Sequence, residues 1–187
     1  MFYDIMKIMK RGFTLIELLV VIAILSVLAT AVILVLNPAE LIKQARDSTR
    51  ISDLAAINSA LALYLSDVAS PGWSSAYKCT AAITTSPSCT ATSTPTVDGN
   101  GWIPVDLTDI SNGSPLSIFP IDPVNSTTYA YAYAHTTSSL YEINANMEST
   151  KYANGGGSDV EANTSDGGNS SGWYEIGNDP GLDLFSQ

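Results

Sequence analysis

One carboxylate stands in the least hospitable part of the chain. Residues 13–36 are apolar or small throughout, and Glu17 is their single charge. In hydrocarbon an unpaired glutamate costs about 1–3 kcal/mol, depending on depth, so Glu17 requires a partner of opposite charge. Cys79 and Cys89 are a second pair able to do chemistry, bracketing a short Ser/Thr-rich segment. No second cysteine pair or nearby histidine supports a metal or redox centre, so an exported chain is expected to hold them as a disulfide. A third candidate is the oxygen-rich stretch 154–172, in which Asp159, Glu161 and Asn163 share the alternate spacing of an EF-hand loop. Thr164 stands where that loop has its turn glycine, and Ser170 where it has a bidentate glutamate. Asp159, Glu161 and Asp166 are the calcium candidates, set against a solvated loop with no cofactor. His135 is the only histidine. Without a nucleophile elbow, a His-rich metal pattern or a phosphate-cradling Gly-Lys loop, it reads as an exposed residue at a hairpin tip, and the chain reads as no enzyme.

These residues need a scaffold, and the apolar run is its first part. At 1.5 Å per residue a helix over 13–36 reaches roughly 36 Å, enough to cross a hydrocarbon core of about 30 Å. Lys7, Lys10 and Arg11 form a cytoplasmic flank. An ordinary signal anchor, with Ala29-Thr30-Ala31 as a small-residue cleavage site, is the simple alternative. The run is longer than the roughly 7–15 residues of a secretory h-region, however, and it contains Glu17. Lys10-Arg11-Gly12, then Phe13-Thr14-Leu15-Ile16-Glu17 and the long apolar run, resembles the N-terminus of type IV prepilins and pseudopilins. The resemblance implies a leader, 1–12, removed by a membrane-embedded prepilin peptidase between Gly12 and Phe13, with N-methylation of the new terminus. Gly12, lacking a side chain, lets the backbone lie close inside a protease cleft. The ammonium of Phe13 and the carboxylate of Glu17 then both need partners in a water-poor bundle, and pairing between neighbouring copies would set axial register. Met6 and Met9 are alternative start residues.

Asn37-Pro38 closes the run, and Pro38 predicts a kink or break. Helical character resumes at Ala39, so the reading is a long helix continuing to residue 69. Leu54, Ile57, Leu61, Tyr64 and Val68 make its apolar stripe, at three-four spacing. Glu40, Lys43, Asp47, Arg50 and Asp53 alternate in sign on the other side, a solvated face or a subunit contact, with the solvated face the commoner case. Ser70-Pro71-Gly72 is a turn, and 73–101 reads as an irregular loop whose Ser/Thr/Pro content suits O-linked sugars. Short strands are expected at 102–107 and 116–119. Tyr129, Tyr131 and Tyr133 alternate with alanines, and Tyr141, Ile143, Ala145 and Met147 repeat that period, so the pair reads as an antiparallel hairpin. One face should cover the helix stripe, while Glu142, Asn144 and Asn146 lie on the other. The fold is α+β and resembles type IV pilins: 1–12 leader, 13–36 transmembrane or filament-core helix, 37–69 amphipathic second half, 70–187 a small antiparallel β-sheet head with variable loops.

The formal net charge is −10, and losing a leader of three cations and one anion takes it to −12. An acidic exterior argues against direct nucleic-acid binding. The resemblance implies a structural subunit that self-assembles into a helical filament, serving adhesion, motility or DNA uptake. Its implied partners are prepilin peptidase, an assembly ATPase and a polytopic platform protein in the inner membrane. The chain would be single-pass in the cell membrane before assembly, then part of an extracellular pilus or a periplasmic pseudopilus. The alternatives are a pseudopilin of a type II secretion system, a low-copy minor pilin or tip adhesin and, remotely, an anchored hydrolase.

Overall fold

The computed structural model describes residues 12–69, 71, 73, 75–83 and 89–185. The basic leader residues, Ser70 and Gly72 of the expected turn, and 84–88 between the cysteines lie outside the described residues. Contacts divide the chain into two units, Met1–Ala39 and Glu40–Gln187.

In the first unit a helix of 22 residues, α1 (Leu15–Leu36), starts at the N-cap Thr14. Its two hydroxyls are satisfied internally, Ser26 donating to the Ile22 carbonyl at 2.7 Å and Thr30 to the Ser26 carbonyl at 2.8 Å. Backbone and side-chain donors are thereby consumed within the segment, as a lipid environment demands. The helix does not run on through Pro38. It stops at Asn37, which takes the left-handed conformation (φ 39°, ψ 73°), and Pro38 opens the next helix, α2 (Pro38–Asp67). Asparagine tolerates this region better than most residues, and proline, with no N–H to satisfy, suits a first helical position.

The second unit is built on α2 and a five-stranded sheet in the order β2-β1-β3-β4-β5. The strands are β1 (Ala76–Cys79), β2 (Thr90–Ala91), β3 (Tyr131–His135), β4 (Tyr141–Ala145) and β5 (Tyr174–Gly177). Only the β1–β2 pair is parallel; β1–β3, β3–β4 and β4–β5 are antiparallel. The tyrosine hairpin is β3 and β4, with Tyr133 opposite Ile143. Its inner face packs Tyr131, Tyr133, Tyr141, Ile143 and Ala145 into one core with Leu54, Ile57, Leu61 and Tyr64 of α2. Val68, beyond the helix end, packs on the margin of that core.

Several expectations need correction. The sheet begins at Ala76 and not beyond Gly101, within the tract that reads as loop. Residues 102–107 and 116–119 are not strands. They are irregular chain with a short 3-10 turn at Leu107–Asp109, yet Trp102, Ile103, Val105, Leu107 and Phe119 are buried. Prolines at 104, 115 and 120 remove ladder donors. The backbone is satisfied instead by scattered bonds, Trp102 N–H to the Thr94 carbonyl, Leu107 to Val97 and Phe119 to Pro95. The outer face of the sheet is not solvated either. Phe185 lies against Ala132 and Ala134, and Glu142 and Asn144 are fully buried.

Candidate functional site at the amino-terminal helix

Thr14 and Glu17 fold the start of α1 into a capping box. The Thr14 N–H donates to Glu17 Oε2 at 2.8 Å and its hydroxyl to the same oxygen at 2.7 Å. In return the Glu17 N–H donates to Thr14 Oγ1 at 3.3 Å. The carboxylate thus sits over the positive end of the helix dipole and takes up donors that the first turn leaves orphaned. Both Thr14 donors converge on Oε2 and leave Oε1 without a bond from Thr14. An open apolar groove formed by Phe13, Ile16, Val20 and Val21 runs beside it. Phe13 is 81% exposed, and every described side chain of residues 12–39 is exposed in the single chain. The segment Leu15–Ile33 is long and apolar enough to cross a membrane. Gly12, with open space where a Cβ would stand, precedes it. Sequence reasoning assigned Glu17 a partner only between copies; Thr14 was missed, although Thr-x-x-Glu before an apolar run is a legible capping signal.

The charged side of α2 is not a solvated face, which corrects the expectation for Asp47, Arg50 and Asp53. Arg50, fully buried, donates to Asp122 through Nε at 2.6 Å and Nη2 at 3.0 Å, to Asp47 through Nη1 at 2.7 Å and to Glu148 at 2.7 Å. Asp47 also accepts the N–H groups of Glu148 and Ser149, and Asp122 those of Val124 and Asn125. Burial opposes the Arg50 charge, but bonds to Asp122, Glu148 and Asp47 outweigh it and hold its pKa above the ordinary arginine value. Asp53 accepts the Tyr131 hydroxyl at 2.8 Å. Burial raises the pKa of this carboxyl although that bond works against the shift. Glu40 accepts from Thr150 at 2.7 Å. This network fastens α2 to the 122–125 turn and the chain after β4.

The other candidates fall as follows. Cys79 and Cys89 form a disulfide, their Cα atoms 5.8 Å apart, which clips the ends of β1 and β2 together. Asp159 accepts the N–H groups of Gly155 and Glu161, Glu161 those of Met147 and Asn154, and Asp166 those of Gly168 and Glu175. All three carboxylates thus serve as acceptors that fix the backbone of the 147–175 region. Among the described residues no three acidic, histidine or cysteine side chains converge on a metal position. His135 is buried, with ring centroids 5.0 Å from Trp73 and 5.2 Å from Tyr133; this corrects its reading as an exposed tip residue. The hairpin turns one residue later, and the period-two pattern places His135 on the inner face beside Tyr133.

A family model described as the prokaryotic N-terminal methylation motif matches residues 8–33. No curated protein and no solved structure matches the chain.

Proposed function

We propose, from the premise that residues 8–33 carry the N-terminal methylation motif of type IV prepilins and pseudopilins, that the chain is the structural subunit of a type IV pilus-like filament. The observation that carries this reading is α1: an apolar helix exposed on all sides, with one carboxylate poised at its amino end. Such a surface must be covered, first by lipid and then by the α1 helices of other copies. That exchange replaces one apolar environment with another, so packing and polar pairing set specificity rather than apolar burial alone. The leader is cut by prepilin peptidase between Gly12 and Phe13, and the Phe13 ammonium of one copy reaches Oε1 of Glu17 in its neighbour. An assembly ATPase and a polytopic platform protein extract the subunit from the membrane. The role is structural and not catalytic.

Intact-mass spectrometry on sheared surface filaments tests the reading. The expected species is abundant, begins at methylated Phe13 and carries one disulfide. Correct processing with only a trace in the sheared fraction would replace the pilus with a pseudopilus or tip role, and an uncut N-terminus would overturn the reading. In Glu17→Ala the leader should still be removed. Breaking a buried pair costs about 3–5 kcal/mol, so filament yield should fall at least tenfold or so; a normal yield would remove the pairing.

A further inference from the structure

Glu142 on β4 and Glu175 on β5 lie on the outer face of the sheet, with Asn144 between them in register with Glu175. Asn144 Nδ2 donates to Glu142 Oε1 at 2.7 Å and to Glu175 Oε1 at 3.3 Å, so that one amide group bridges the two carboxyls. Each has its remaining oxygen committed to a covering segment. Glu142 Oε2 accepts the N–H of Leu184 at 2.8 Å and of Phe185 at 3.4 Å, and Glu175 Oε2 accepts the N–H of Ser170 at 2.9 Å. Both glutamates are essentially without solvent exposure. Gly168 closes over the pair, and a Cβ there would fall on the Glu175 carboxyl.

We infer that this pair is a proton-operated latch, which holds residues 184–185 and the segment around Ser170 on the sheet most firmly in acid and loosens them as the pH rises and the shared proton is lost. Two buried carboxyls bridged by one amide donor ionise together only at high cost, so one of them keeps its proton well above the ordinary carboxyl range. The neighbours reinforce this. Asp166 of the short helix α3 (Asn163–Asp166) adds a like charge. From β3 come only Ala132 and Ala134, and from β1 Tyr77, whose ring meets Phe185 edge-on at 5.6 Å. Burial raises Glu142, and burial with the charges of Glu142 and Asp166 pushes Glu175 up to about 8. The folded value lies above the ordinary value of 4.5. The stability this pair contributes is therefore fully present below the ordinary value and is lost as pH rises through the folded one. Loss of the proton sets two carboxylates against each other across Asn144, the side chains part, and the N–H groups they hold are set free.

Amide exchange on the full chain in detergent micelles, corrected for the intrinsic effect of pH, tests the latch. Protection at Leu184, Phe185 and Ser170 should be constant below the ordinary carboxyl value, fall by up to about tenfold per pH unit between it and the folded value of about 8, and level off above that, while amides of β3 keep theirs. Glu175→Gln keeps the shape but cannot ionise, so its protection should stay flat. A flat wild type, or a Gln variant that falls in parallel, would overturn the latch. Should the variant fail to fold, carbon NMR of the Glu142 and Glu175 carboxyls in the wild type decides. A midpoint well above the ordinary range supports it, and two midpoints at about 4–5 overturn it.

Discussion

Arg50 is the residue on which most of the head's ion pairing converges, and its three carboxylate partners differ in how far away they lie in sequence. Asp47 is one helical turn away and legible from the sequence. Asp122 and Glu148 are 72 and 98 residues away, and no local spacing announces them. For that reason a row of alternating charges reads as a solvated face when it is a buried seam. Replacing Arg50 by Leu would leave Asp47, Asp122 and Glu148 facing one another with little solvent, a loss of about 3–5 kcal/mol. That corresponds to a drop in melting temperature of roughly 6–20 °C. Arg50→Lys should not restore it, because one ammonium cannot reproduce the paired Nε and Nη2 bonds to Asp122. Thermal melting of both variants checks this, and a Leu variant within a degree or two of wild type would show that the network stabilises nothing. Glu17 presents the opposite case: its partner Thr14 is three residues away, and the Thr-x-x-Glu spacing alone announces the bond within the chain.

At the scale of elements, the disulfide between Cys79 and Cys89 joins β1 to β2, the only parallel pair and the shortest strand of the sheet. Two residues of ladder cannot hold a strand unaided, so the covalent clip does much of that work. With the cysteines separated by 10 residues, closing the loop should contribute about 2–3 kcal/mol. Melting the chain with and without reductant, and as the Cys79→Ser/Cys89→Ser double variant, should show a matching loss; equal melting temperatures would assign the edge to packing alone. Period-two alternation made β3 and β4 legible, and three-four spacing did the same for the buried stripe of α2. The same rule could not find β1, β2 or β5, each of four residues or fewer, because so short a segment has no measurable period. It also promoted 102–107 and 116–119 to strands, since apolar residues between prolines look alike whether they pair in a ladder or fill a core as irregular chain. The outer face misled in a related way: Glu142 and Asn144 alternate as solvent-facing residues should, but a C-terminal segment that no periodicity foretells covers them.

At the scale of the whole molecule, the two units divide the physical work. Among the described residues, every buried one lies from Asp47 to Phe185, and all the described side chains up to Ala39 are exposed. Both the Arg50 network and the disulfide also fall inside the second unit. A chain beginning at Glu40 should therefore fold as a soluble head, oxidise its cysteines and melt cooperatively. It loses only Pro38 and Ala39 from the start of α2, an effect of about 1 kcal/mol at most, so its melting temperature should lie within roughly 5 °C of the full chain. The same truncation removes the apolar helix and Glu17, and so it should enter no filament even when the full-length chain is co-expressed. Scanning calorimetry and sheared-filament mass spectrometry read the two halves separately. A truncated head that aggregates or unfolds without a cooperative transition would mean that α1 contributes to the head's own stability. A soluble head that is nonetheless recovered in filaments would mean that contacts between heads, rather than α1 and its carboxylate, carry assembly.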